Sequence, residues 1–251
     1  MTNGLKAALG FTAVLVIAVG GELLYLHHRN YADQHMVVQR PGQNEEPTLS
    51  ADDAVFLRKE RPDSLANERK LIGTTIWVSA GGQLDYYKDT GKHVDYNHPV
   101  GVLAGAEPLV IKDVFEQVPP KTGRAVARIA AGQRHVLLAF TMPKSDDPKQ
   151  LYATPVGNYD EGSYNFLTDE IFFYDDPHVL YKHWGPAVWA HIDKHEAVLG
   201  MSENQAMMAL GQVITPHGDN VGDRSVTYYN DNHPVTIDFE HDKAVKITPG
   251  D

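Results

Sequence analysis

The sequence predicts an α+β protein with three parts: an N-terminal transmembrane helix, a β-rich module, and a C-terminal module of two helices with a three-stranded antiparallel sheet. Three observations carry this. An unbroken apolar run stands near the start. Short β-branched and aromatic runs, punctuated by glycine and proline, fill the first half of the remainder. The last quarter pairs a capped helical pattern with three strand-like segments. The chain has 251 residues, 42% hydrophobic and 22% charged, enough to bury a core. Lys plus Arg (22) against Asp plus Glu (33) gives a net charge of −11. Without a cationic footprint to displace counterions, nucleic acid is not an expected partner. The absence of cysteine excludes disulfides, thiolate metal sites and Cys nucleophiles.

Residues 1–29 read as a signal anchor. Twenty helical residues from Ala7 to Leu26 would rise about 30 Å, the thickness of a bilayer's hydrocarbon core. A cleaved signal peptide competes, because Ala18-Val19-Gly20 satisfies the small-residue rule. Both send the rest of the chain across the membrane, so the expected location is a bacterial-type inner membrane, single pass, with the soluble part on the periplasmic side. Residues 30–49 turn polar and form a spacer.

The segment 50–145 is expected to open with two short helices. Ser50 precedes Asp52 and Asp53 in a capping-box-like start, and Pro62 stops that helix; the second covers Asp63 to Lys70. Strands follow at Thr74–Ser79, Leu84–Lys88, Val100–Leu103, Leu109–Phe115, Ala125–Ile129 and His135–Thr141. This spacing suggests a small barrel or sandwich. The runs GVLAGAEPLVIKDVFEQV and ARIAAGQRHVLLAF resemble the central strands of bacterial SH3-like barrels.

Residues 146–175 combine acids with aromatics, including Asp160, Glu161, Tyr164, Asp169, Glu170 and Tyr174, and read as a solvated connector. The module 176–251 starts at Asp176-Pro177, an N-cap followed by proline at the first helical position. Leu180, Trp184, Val188 and Ile192 recur every four residues as an apolar helical row, broken by Gly185-Pro186. A further helix is expected after Gly200, capped by Ser202 with Gln205 at the capping-box position and ended by Gly211. Val226–Tyr229, Val235–Phe239 and Ala244–Ile247 complete the module as strands.

Gly200-Met201-Ser202-Glu203-Asn204-Gln205, the following Leu210-Gly211 and the three strands resemble the small SmpA/OmlA (BamE-like) envelope domain, related in fold to β-lactamase inhibitor protein. The chain departs from that pattern in three ways. Gln212-Val213 follows Leu210-Gly211 where proline is usual, the early strand tryptophan is replaced by Thr227-Tyr228-Tyr229, and no lipid-bearing cysteine exists. The resemblance implies a non-catalytic binding domain on the cell envelope.

Thirteen histidines invite a metal reading. His191 and His195 stand four apart on the expected helix, a spacing that can place two imidazoles on one ion, with His178, His217 or His233 as a third ligand. The glutamate that zinc proteases use as base does not follow the first histidine. No Gly-x-Ser-x-Gly elbow or phosphate loop is present. Trp77, Trp184 and Trp189 read as core aromatics.

The expectation is therefore a non-catalytic, membrane-anchored envelope protein that binds or scaffolds a partner protein and needs no cofactor. Partner contact is expected at Tyr228, Tyr229 and Arg224, and membrane contact through residues 7–26. Two alternatives stand beside it: a metal-dependent hydrolase using His191 and His195, and a peptide- or peptidoglycan-binding or inhibitor module.

Overall fold

The computed structural model describes residues 50–120, 126, 129 and 134–250. The apolar run 7–26 and the spacer 30–49 lie outside the described residues. No helix among the described residues is long and apolar enough to cross a membrane. Ser50–Asp251 is one compact unit.

The expected α+β architecture is corrected. Among the described residues the chain is mostly β, 34% strand against 18% helix, arranged as a curled half-barrel sheet and a four-stranded sheet. There is no separate small barrel over 50–145, because its strands pair with strands of the segment that follows.

The first sheet holds β1 (Thr75–Val78), β2 (Asp85–Lys88), β3 (Gly101–Val102), β4 (Pro108–Gln117), β5 (Arg134–Thr141), β6 (Tyr152–Asp160), β7 (Ser163–Phe166) and β8 (Phe172–Phe173). Its order is β3-β2-β6-β5-β4-β1-β8, with β7 also pairing β6. Strand β5 is the centre. Val136, Leu138 and Phe140 join the core on one face, and Leu137 and Ala139 join that on the other. Burial on both faces explains why this strand reads as a continuous apolar run rather than an alternating one. Extra residues at Lys112 on β4 and Val156 on β6 break the register and bend the sheet.

The acidic, aromatic stretch 146–175 is not a connector. It supplies β6, β7, a one-turn helix α1 (Thr168–Ile171) and β8. Its acids sit at the ends of elements, Asp160 and Glu161 at the β6–β7 turn, Asp169 and Glu170 on α1, while the residues between them pair. Pro155 and Gly157 disguise β6 in the sequence. The proline falls beside the Val156 bulge, where its missing N–H disturbs a ladder that is already irregular.

Two other expectations change. Residues 51–54 form only a turn. Val55 packs against the core, but Phe56 is 89% exposed and Leu57 38%, so too little apolar surface is buried for packing to stabilise a helix there. The expected helix over 63–70 is one turn, Leu65–Glu68, capped by Ser64 and continued by a 3-10 turn. The strand expected over 125–129 falls where only Val126 and Ile129 are described.

The second sheet contains four strands, not three: β9 (Val213–His217), β10 (Ser225–Tyr228), β11 (Val235–Glu240) and β12 (Lys243–Pro249), an antiparallel meander in the order β12-β11-β10-β9. The helix row splits at Gly185 as expected, into α2 (Pro177–Leu180), a 3-10 turn and α3 (Gly185–Ile192). The last helix, α4 (Glu203–Leu210), carries the full Ser202–Gln205 capping box and ends at Gly211 with φ +95°. Trp184, Trp189, Ile192, Met208 and Leu210 pack with Val226, Tyr228, Ile237 and Phe239 to form the core of this half. Both outer edges of the sheet are blunted against strand addition. Strand β9 carries the extra residue Ile214 and Pro216, and β12 the extra residue Val245 and Pro249.

Candidate functional site

The three expected contact residues have different fates. Tyr228 is a core residue, 1% exposed, whose hydroxyl donates to the Glu203 carbonyl at 3.2 Å. Burial pushes its phenol far above the ordinary tyrosine value, with Glu203 adding to the rise. Arg224 is half-buried and structural: its Nε donates to Glu203 Oε1 at 2.8 Å and its Nη1 to the Gly218 carbonyl at 3.2 Å. Tyr229 points the other way, and its ring lies over the backbone of Gly82.

The histidine pair is not held on one helical face. Helix α3 ends at Ile192, and His195 sits beyond it at φ +58°, so helical i, i+4 spacing no longer brings it onto the face of His191. His191 faces Glu196 at 3.4 Å. Among the described residues, no three His, Asp or Glu side chains gather where they could hold a metal ion.

Other histidines belong to a ring stack that sequence reasoning did not anticipate. Tyr181, Trp184, Trp189 and His178 lie in succession at centroid spacings of 4.4, 5.3 and 4.1 Å. Carboxylates hold the stack. His178 lies between Asp176 at 2.9 Å and Asp193 at 3.2 Å. Asp52 meets His183, the Trp184 indole N–H at 2.7 Å and the Asn204 amide at 3.1 Å. Burial alone would raise the Asp52 pKa, but these hydrogen bonds outweigh it and hold the carboxyl below its ordinary value.

Two clefts compete as binding sites. One, of about 440 Å³, is lined by Asp52, Asp53, Glu203, Asn204, Arg224, Tyr228 and Asp242. Its acids are already engaged: Glu203 with Arg224 and the Gly222 N–H, Asp242 with the Glu203 N–H, and Asp53 with Ser50. Such a wall is structural.

The other cleft, of about 200 Å³, lies where the two sheets meet. Val102, Leu103, Ala104, Ala209 and Leu210 give it apolar lining, while Tyr229, Asn230, Asp231 and His195 bring polar groups. His195 and Tyr229, singled out from the sequence for unrelated reasons, converge here. The walls are fixed by backbone contacts. Gln212 donates its N–H to the Gly81 carbonyl at 2.8 Å and its side-chain amide to the Gly82 carbonyl at 2.9 Å, and the Asn230 N–H donates to the Leu210 carbonyl at 2.7 Å. Gly211 must be glycine: besides its positive φ, a Cβ would lie 2.7 Å from the Gly81 oxygen. Three further wall positions, His195, Asn230 (φ +41°) and Asp231 (φ +49°), hold non-glycine residues in the left-handed region. Asn230 and Asp231 belong to the turn joining β10 to β11, where Asn and Asp adopt this conformation readily.

No protein family, curated protein or solved structure matches this chain, so these comparisons do not link it to the SmpA/OmlA or SH3-like families. The cleft's sequence signal was slight. Gly81-Gly82 and Gly105 read as turn punctuation, and nothing local marks them as partners of Gly211.

Proposed function

We propose that this protein is a non-catalytic binding module, tethered to a bacterial-type inner membrane by residues 7–26, that engages a partner protein on the periplasmic side through the cleft between its two sheets. The observation that carries this reading is the cleft itself: apolar lining, polar groups and walls locked by backbone hydrogen bonds, which is how a preorganised contact site is built. The blunted edges of the four-stranded sheet favour the cleft over strand addition.

The test is alkaline carbonate extraction of native membranes followed by crosslinking and mass spectrometry on the full chain. The reading expects the protein in the membrane pellet, with partner crosslinks clustering around Ala104, His195 and Asp231. Release into the supernatant, or crosslinks confined to surfaces away from the cleft, would overturn it.

A further inference from the structure

We propose that the occupant of this cleft is a cationic, extended peptide segment of the partner, which buries one bulky apolar side chain between the sheets and pairs an adjacent Lys or Arg with Asp231. This rests on the reading of the cleft as the binding site and names what enters it.

Size comes first. About 200 Å³ is smaller than the roughly 300–1,000 Å³ of sites that enclose whole small molecules. It suits a single anchoring side chain, the way a few buried anchors dominate protein–protein binding. Position comes second. The segment 102–104 also lines a neighbouring cleft of about 210 Å³, with Tyr86, Glu107, Met142 and Lys144. Strand β3 is the last strand of its sheet, so an extended segment crossing it reaches both clefts.

Charge comes third. Asp231 is exposed and has no cationic partner among the described residues. Glu107 adds a second carboxyl in the neighbouring cleft, where Lys144 is itself paired with Asp193 at 3.4 Å. The Tyr86 phenol between them registers this: burial lifts its pKa first, and Tyr152, Glu107 and Asp231 lift it further. With a net charge of −11, the whole chain attracts a basic segment.

The test is fluorescence anisotropy of full-length protein in detergent with three labelled hexapeptides: Lys-Leu-Lys-Phe-Lys-Ser, its acidic counterpart with Glu for each Lys, and a version with Gly for Leu and Phe. The cationic apolar probe is expected to bind. Its affinity falls about threefold in Asp231→Asn, a substitution that keeps a residue tolerant of positive φ. It falls about tenfold or more in Ala104→Phe, which fills the cleft, and it weakens with salt as screening requires. The acidic and glycine probes bind far more weakly. Should Ala104→Phe misfold, Asp231→Asn still decides the charge pairing. Equal binding of the acidic probe overturns the cationic assignment while the cleft stands as a binding site. If no probe binds, yet partner crosslinks at the cleft vanish in Ala104→Phe, the peptide assignment falls and the function survives. If crosslinks never involve the cleft, both fall.

Discussion

Gln212 is hydrogen-bonded to Gly81 across the junction of the two sheets, its backbone N–H lying 2.8 Å from the glycine carbonyl. The segment leaving α4 is thereby fastened to the turn that follows β1. The turn after β1 and the end of α4 meet backbone to backbone, and the glycines at 81, 105 and 211 are what allow it.

Gly105 shows how tight this junction is, since a methyl group there would overlap the Met208 carbonyl oxygen. Gly105→Ala is expected to destabilise the fold by roughly 1–3 kcal/mol, the range for overpacking a filled site. Urea denaturation followed by tryptophan fluorescence measures this. An unchanged midpoint would mean that the junction is looser than described.

Glu68 predicts the pH dependence near neutrality. It is 1% exposed, its Oε1 accepts from the Thr168 hydroxyl at 2.9 Å, and its Oε2 has no partner among the described residues. Burial first, with Asp169 adding, raises its pKa from 4.5 to about 7. The folded state therefore holds a proton that the unfolded state releases. The resulting stability is complete below the unfolded value and is lost as pH rises through the folded one. Between pH 5 and 8 the loss is expected to reach about 2.5 kcal/mol. Glu68→Gln should flatten the profile over that interval. A variant as pH-dependent as the wild type would show that Glu68 is ionised in the native state.

Asp52 acts on the acid side. Its depressed pKa contributes stability above the unfolded value of 3.8, and that stability is lost as pH falls through the lower folded value. Asp52→Ala would also strip the Trp184 indole N–H of its partner, at a cost of about 1–3 kcal/mol. Tryptophan emission should shift to the red as the ring stack loosens. Unchanged emission together with unchanged stability would remove Asp52 from the stack's support.

Tyr228→Phe separates core from contact surface. Losing the hydrogen bond to the Glu203 carbonyl is expected to cost about 1 kcal/mol, with binding of the cationic probe unaffected. A loss of probe binding at unchanged stability would return Tyr228 to the contact surface, against its burial.

What the sequence revealed was local. The Ser202–Gln205 capping box, the Asp176-Pro177 helix start and the apolar run of β5 each lie within a few residues of chain, where spacing and propensity speak directly. What it concealed depends on distant partners. Strand β6 contains Pro155 and Gly157, poor strand formers that are accommodated because β5 pairs beside a bulge. Strand β9 is an exposed edge of five residues interrupted by Pro216, and pairing with β10 defines it. The start at Ser50, Asp52 and Asp53 read as a capped helix, but no surface receives Phe56. The cleft was least visible, because its walls come from five separated segments and much of its character is backbone.

The most direct measurement places a photo-crosslinking amino acid at His195 in the full chain, in native membranes, with and without excess Lys-Leu-Lys-Phe-Lys-Ser peptide. The cleft reading predicts one discrete partner adduct that the peptide suppresses and that Ala104→Phe abolishes in protein of unchanged fluorescence. An adduct that persists under both challenges, or none at His195 while a probe at Thr236 on the open sheet face captures the partner, would contradict it.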